Sequence, residues 1–448
     1  MGHLIHTIDV NTTTHQSLWV RKMERSIEYP LAGSRPRQWV RQAPLVAAET
    51  EGPRIAFKLL ILFLLVLYSN VSVIFKLDAF RPALLIAVAA LGMMVIELGQ
   101  LRQSFKLMWP QSAMVLMFFA ACVISTPAAY WVSHALDQTI DVGKIVLLYL
   151  LLENVITSEE RLRKVMLTLV IGGIFPAIGT IDHYKEGILV EHSRAAWRGI
   201  FGNPNEVAYA LIILIPIALM LASKSGWFTR VGIWVIVAVY MLAIFLTFSR
   251  GGLLALFAVL ALMGWKQKSI VIRGLIAAGI VGGLVVIGMF WTRSSGGFSN
   301  INHDGSVQER MVTLEAGIRM FLRNPLLGVG PGDSGVAYAL YAGRDINCGC
   351  HDQLVVHNAY IQALAEVGVV GSIPFMLFIF ISLYQARKLE AGPIGHYAMA
   401  LELAMWGVVL CFVSGGFIYT WWPYILVGVI AAAKRISDSR MTEAVHGV

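Results

Sequence analysis

Charge is what this sequence of 448 residues has least of. Only 14% of its residues are charged, while 57% are hydrophobic. Soluble domains carry about 25% charged residues. A chain this poor in charge cannot cover a water-facing surface, which excludes a soluble globular protein. The mean hydropathy of +0.69 says the same. Cysteine is also scarce. Cys122, Cys348, Cys350 and Cys411 fit no disulfide framework. The first 30 residues lack the apolar core of a cleavable signal peptide; His3, His6, Asp9, Asn11 and several threonines stand there instead. The first apolar segment is therefore expected to target the chain. No internal repeat is visible, and no Asp-x-Asp pair occurs anywhere. Divalent-metal chemistry thus has no obvious ligand set. The one cluster that could hold a metal is Cys348-Gly349-Cys350-His351-Asp352, and an incidental or redox-sensitive pair is the simpler reading of it.

What the sequence does have is long apolar runs. Runs of roughly 20 apolar residues match a hydrocarbon core of about 30 Å. Twelve segments are expected to be helical spans, at 55–75, 82–99, 111–130, 141–156, 165–182, 205–222, 231–248, 251–265, 273–291, 358–385, 397–418 and 421–433. The expected fold is all-α, an integral membrane protein of about twelve helices with one large loop. Residues 1–54 form a basic, proline-containing tail expected to be disordered or to lie on the membrane surface. Residues 55–435 form one polytopic domain, and 436–448 a short second tail.

The net charge of +8 is scattered between spans rather than gathered on one face. It reads as a topology signal, not a nucleic-acid footprint. Leaving out the first tail and the long loop, the short connections hold 15 Lys and Arg on one side and 6 on the other. The positive-inside rule then places both termini in the cytoplasm and the loop 292–357 in the periplasm. A loop of that length in a compact protein is usually functional or disordered. This one carries a helical pattern from Glu309 to Arg323, with Met311, Leu314, Ile318 and Phe321 on one stripe and Glu315 and Arg319 paired on another face. It reads as an amphipathic helix resting on the membrane. Asn324-Pro325 ends it, and the glycine-rich turn Gly328 to Asp333 follows.

Four places on the expected outer side could carry chemistry. They are Arg198 to Glu206 with Asn203-Pro204-Asn205, the turn Thr247 to Gly252 with Ser249-Arg250, Arg310, and His357-Asn358. Each has a plain structural account. Asn203-Pro204-Asn205 makes a turn and a helix cap. Arg250 can snorkel at the interface, Arg310 can solvate or cap its helix, and a lone histidine at a helix start is more often structural. Together they weigh differently. Three arginines and a histidine on one side, near one depth, suit an anionic ligand. Arginine grips phosphate through two parallel hydrogen bonds, and histidine can take a proton from a hydroxyl near neutral pH. Glu97, Lys144, Glu153, Glu366 and Glu402 lie within spans and are suspects by default, although several lie near span ends.

His357-Asn358, nine residues, Gly368, two residues and Gly371 resemble the H-N-x9-G-x-x-G pattern of the O-antigen ligase and polymerase superfamily. Asn203-Pro204-Asn205, the Ser249-Arg250-Gly251 turn, the run Pro325 to Gly332 and the large loop are similar to that superfamily too. The resemblance covers roughly residues 55–435; the first tail and Cys348-Gly349-Cys350 lie outside it. It implies a metal-independent, inverting glycosyltransferase without cofactor. Such an enzyme takes a glycan from undecaprenyl pyrophosphate at the periplasmic face of a bacterial inner membrane and joins it to a sugar hydroxyl, on the lipid A core or on another repeat unit. The implied catalytic residues are His357, Arg310 and Arg250. Arg198, Asn203, Asn205 and Asn358 are implied to hold substrate, with Glu206 and Asp333 as weaker candidates. The expected partners are the lipid-linked donor, the glycan or lipid A core acceptor, membrane lipids and other polysaccharide assembly proteins, and no nucleic acid. The rival reading is a transporter of a small anion such as bicarbonate. It would call for broken helices in two matching halves, and no half-to-half similarity is visible.

Overall fold

The computed structural model describes residues 52–77, 80–190, 193–290, 305–342 and 354–446. The first tail up to residue 51 and the Cys348–Asp352 cluster lie outside these. The described residues are almost entirely helical. In chain order the helices of eight residues or more are α1 (Arg54–Ser69), α2 (Pro82–Gln100), α3 (Gln111–Ser125), α4 (Val132–Val155), α5 (Glu159–Gly172), α6 (Ile174–Lys185), α7 (Pro204–Ser223), α8 (Trp227–Leu246), α9 (Arg250–Lys266), α10 (Ile270–Phe290), α11 (Gly305–Arg323), α12 (Ser334–Tyr341), α13 (Ala359–Leu389), α14 (Gly395–Val413) and α15 (Trp421–His446). A two-residue antiparallel pair, β1 (Leu189–Val190) with β2 (Arg194–Ala195), joins α6 to α7.

Each of the twelve apolar segments falls on helix, the fifth on α5 and α6 together. Among the described residues, seven stretches are long and apolar enough to cross a bilayer: Pro82–Gln100, Gln111–Ala128, Glu159–Lys185, Pro204–Ser223, Trp227–Leu246, Ala359–Leu389 and Gly395–Val413. The chain is a multi-pass membrane protein. α1, α4, α9 and α15 fall short for visible reasons. α1 and α9 have only 16 and 17 residues, α4 carries Asp137, Asp141, Lys144 and Glu153, and α15 runs on into Lys434, Arg435, Asp438 and Arg440. α7 is buried along nearly its whole length and packs against α8 and α14, so it lies at the centre.

The connections sort into two ends that alternate along the chain. At one end Asn70 Nδ2 donates to Arg198 O at 2.6 Å, Ser125 Oγ to Leu327 O at 2.6 Å, and Tyr209 Oη meets Ser414 Oγ at 2.7 Å. At the other end Asn154 Nδ2 donates to Lys106 O at 3.0 Å, Arg161 to Gly52 O and Pro53 O, and Arg435 to Ile156 O.

The acidic suspects within the apolar segments turn out to hold this frame together. The buried carboxylate of Glu97 accepts from the backbone N–H groups of Arg54, Ile55 and Ala56 at 2.9–3.1 Å, which satisfies the orphan donors at the start of α1. Glu153 accepts from Ser112 Oγ and Met108 N. Glu402 and Glu390 share Lys266. The exposed Lys144 pairs with Asp141 at 2.6 Å.

α13 is broken at Gly368 (φ 56°, ψ −163°). Only glycine occupies that region freely. The break releases backbone groups, and the segment after α11 satisfies them. Val329 N and Gly330 N donate to Ala365 O and Glu366 O at 2.8 and 3.0 Å, while Val369 N and Val370 N donate to Pro325 O and Leu326 O. Irregular backbone at such a site is tolerated when it is buried in protein. The two glycines make the approach possible. A side chain at Gly328 would meet Glu366 backbone carbon at 2.3 Å, and one at Gly368 would meet Leu326 backbone carbon at 2.3 Å.

α11 begins earlier than its apolar pattern predicts and ends at Arg323, as Asn324-Pro325 requires. The Glu315–Arg319 pair forms at 2.5 Å. The packed face differs from the expected stripe. Val312, Ala316 and Met320 are buried, whereas Met311 and Ile318 are exposed. Small residues let α11 lie close to the start of α13; a side chain at Gly317 would meet Ile361 at 2.9 Å.

Candidate functional site

Three of the candidate segments are helix starts, built by their own polar residues. Asn203 caps α7, its Oδ1 accepting from Asn205 N at 2.8 Å. Ser249 caps α9, its Oγ accepting from Gly252 N at 3.2 Å. Asn358, not His357, caps α13. Its Oδ1 accepts from Tyr360 N and Ile361 N at 3.0 Å, and its Nδ2 donates to Val413 O at 3.0 Å. Asn, Ser and Asp are the residues that such positions favour. Capping is thus taken from His357, which stands half-buried one residue before the helix.

These starts meet at the α14 end. Tyr209, one turn into α7, contacts Ser414. Gly251, next to Arg250, is so close to the same serine that a side chain there would meet Ser414 Oγ at 2.1 Å. Asn358 reaches Val413, and a side chain at Gly416 would meet Val356 O at 2.1 Å. Arg310 stands half-buried near the start of α11, the helix whose Gly317 packs against Val356 and Ile361, on either side of His357–Asn358. The Ser249–Arg250 turn and the His357–Asn358 pair therefore share one neighbourhood around Tyr209 and Ser414, with the helix that carries Arg310 packed beside them.

Asn205 sits beside it with a buried side chain. Its Oδ1 accepts from Ser249 Oγ at 2.7 Å and from Arg194 Nη2 at 2.6 Å. Arg194 is itself buried, and its Nε donates to Thr247 O at 3.1 Å. Arg194 thus ties the β1–β2 hairpin, the start of α7 and the Thr247–Ser249 turn into one unit. The sequence reading missed Arg194, Tyr209 and Ser414. For Arg194 the one available signal was its place four residues before Arg198, in the same connection.

Arg198 stands apart from the Tyr209–Ser414 neighbourhood. Its Nε points at His183 Nε2 at 3.2 Å, and His183 Nδ1 lies 2.8 Å from Ala196 O. A carbonyl only accepts and a guanidinium only donates, so His183 is held with its proton on Nδ1. The ring is a strut between α6 and the connection to α7.

The remaining acids anchor the glycine-rich turn. Glu366 is fully buried. It accepts from Gly332 N at 2.9 Å, from Gln362 Nε2 at 3.1 Å and from Ser334 Oγ. Buried Asp333 accepts from Trp131 N at 2.6 Å and lies 2.7 Å from His134 Nδ1. Tyr338, on α12 outside the spans, has its pKa raised by burial first and by the charge of Glu309 second. Among the described residues no three His, Cys, Asp or Glu side chains cluster so as to hold a metal ion.

The arrangement offers guanidinium groups, an imidazole and helix N-termini at one end of the bundle. That combination suits an anion next to a hydroxyl. No curated protein matches the chain. Residues 234–376, which hold Arg250, Arg310, His357, Asn358, Gly368 and Gly371 but not Arg198, Asn203 or Asn205, match the family model described as O-antigen ligase, and the chain carries a domain of the O-antigen ligase superfamily there.

Proposed function

We propose that this membrane protein transfers a glycan from undecaprenyl pyrophosphate to a sugar hydroxyl at the periplasmic face of a bacterial inner membrane, as an O-antigen ligase or a polysaccharide polymerase. The observation that carries the reading is the meeting of the Ser249–Arg250 turn and His357–Asn358 around Tyr209 and Ser414, with the helix that carries Arg310 packed against the start of α13. All but Tyr209 and Ser414 lie inside the matched stretch. His357 takes the proton of the acceptor hydroxyl. That oxygen attacks the anomeric carbon of the donor from the face opposite the pyrophosphate. The carbon–oxygen bond to pyrophosphate breaks, and the configuration inverts. Arg310 and Arg250 neutralise the charge on the departing pyrophosphate, as electrostatic stabilisation of a leaving group requires. No metal is needed for this step.

Asn203, Asn205 and Asn358 act in this scheme by fixing helix starts rather than by touching the sugar. Arg198 serves the same frame through His183. Anion transport draws no support from the family match.

The test is donor binding and transfer measured side by side on Arg310 variants, with labelled donor and acceptor. Arg310→Ala weakens donor binding and slows transfer. Arg310→Lys restores only part of both, because a point charge cannot reproduce two parallel hydrogen bonds. An Arg310→Ala protein that binds donor as tightly as the parent overturns the assignment.

A further inference from the structure

At the opposite end of the bundle, a cavity of about 620 Å³ does not belong to the site above. The connection from α2 to α3, the end of α4 and the last turns of α15 line it. Three cations face it, Arg102, Lys106 and Arg435, with Asn154 and Thr157 between them. The one acid in the lining, Asp438, is already paired with Lys434. Among the described residues neither Arg102 nor Lys106 has an acidic partner. Burial pulls the Arg435 guanidinium down to about 10, so it is still charged at neutral pH.

The walls are built firmly. Asn154 clamps Lys106 by two bonds, Lys106 N to Asn154 Oδ1 at 2.8 Å and Asn154 Nδ2 to Lys106 O at 3.0 Å. Arg435 is held by Ile156 O at 2.8 Å. Thr157 Oγ1 is buried and has no hydrogen-bond partner among the described residues.

Arg102 supplies a second, independent sign. Its φ is +52°. α2 ends there in a Schellman motif, with Gln103 N donating to Leu98 O at 2.9 Å and Arg102 N to Gly99 O at 3.2 Å. Glycine is the usual residue at that left-handed position. An arginine there keeps a cation at the cavity mouth against the backbone's preference, and such outliers gather where a ligand is held.

We propose that this cavity binds the phosphate headgroup of an anionic phospholipid in the adjoining leaflet. Basic pockets between membrane helices take such headgroups. α2 is long and apolar enough to span the bilayer and stops at Gln100, so Arg102 lies at headgroup depth. Leu101, Phe105 and Leu107 are exposed beside the mouth and offer apolar surface to the acyl chains. That surface favours a lipid over free phosphate. The inference stands apart from the proposed glycan transfer.

The experiment uses the full chain in neutral detergent, titrated with phosphatidylglycerol, with phosphatidylcholine and with inorganic phosphate. The unfolding midpoint and the bound lipid seen by native mass spectrometry are read together. Phosphatidylglycerol raises the midpoint; the other two do not. Arg102→Gly unfolds at the parent's temperature or above it without lipid, because glycine relieves the backbone, yet binds phosphatidylglycerol roughly five-fold more weakly, the weight of one basic group beside an anionic lipid. Lys106→Gln loses a similar factor. Parent-like phosphatidylglycerol binding in both variants overturns the proposal. So does an equal response to phosphatidylcholine or to phosphate alone.

Discussion

Asn203, Ser249 and Asn358 each stand just before a helix and give their side-chain oxygens to its first free amides. Capping explains why these residue types recur at the site, and it leaves His357 and the arginines as the groups with chemistry to offer. Asn358→Ala is expected to cost about 1 kcal/mol of stability, the usual worth of a cap, and more if the tie to Val413 is also lost; Asn358→Ser restores the cap share. Thermal unfolding in detergent checks both. Gly368→Ala is expected to be far more damaging. The substitution forces a side chain into a glycine-only conformation, at about 1–3 kcal/mol for the strain, and drives it into Leu326. A Gly368→Ala protein as stable as the parent would contradict the role given to the break. At this scale the sequence was partly legible. The motif glycine could be seen, but not its reason, because nothing local says that the segment 325–330 returns to fill the gap. Arg194 was invisible for the same cause: its partners, Asn205 and Thr247, are 11 and 53 residues away.

Among the elements, α13 and the turn between α11 and α12 work as one piece. Glu366 accepts from Ser334 Oγ, Gly332 N and Gln362 Nε2. Glu366→Ala leaves those donors without an acceptor, at about 1–3 kcal/mol for each one left buried and unpaired. The expected result is a lower unfolding midpoint and faster proteolysis between α11 and α12; unchanged proteolysis would show that the turn holds without the carboxylate. α11 teaches a second lesson. Its strong apolar residues drew attention to the stripe Met311 to Phe321, yet the buried face is Val312, Ala316, Gly317 and Met320. Close helix packing selects small residues, and a search for large apolar ones passes over them.

For the whole molecule, composition and periodicity carried most of the architecture. All twelve apolar segments are helical. Their connections gather alternately at two ends, an arrangement that up-and-down crossings require. Charge bias predicts the orientation, with both termini in the cytoplasm. A reporter active only in the periplasm should be active when fused after Ser306 and silent after Lys388; reversed signals would put the site in the cytosol. Metal dependence is decided at this scale too. Transfer should survive a strong chelator. Complete loss, restored by magnesium or manganese, would contradict the arginine-based mechanism and turn attention to Glu206, Asp333 and Asp352.

The most direct test is the transfer rate of His357 variants, measured with donor binding on folded protein. His357→Ala is expected to abolish transfer, with a loss of about 100- to 10,000-fold for a missing general base, while donor binding stays near the parent's. Asn358 already caps α13, so a capping role offers no refuge for His357, and His357→Asn should be as inactive as His357→Ala. A well-folded His357→Asn protein that transfers glycan at near the parent's rate would contradict the account.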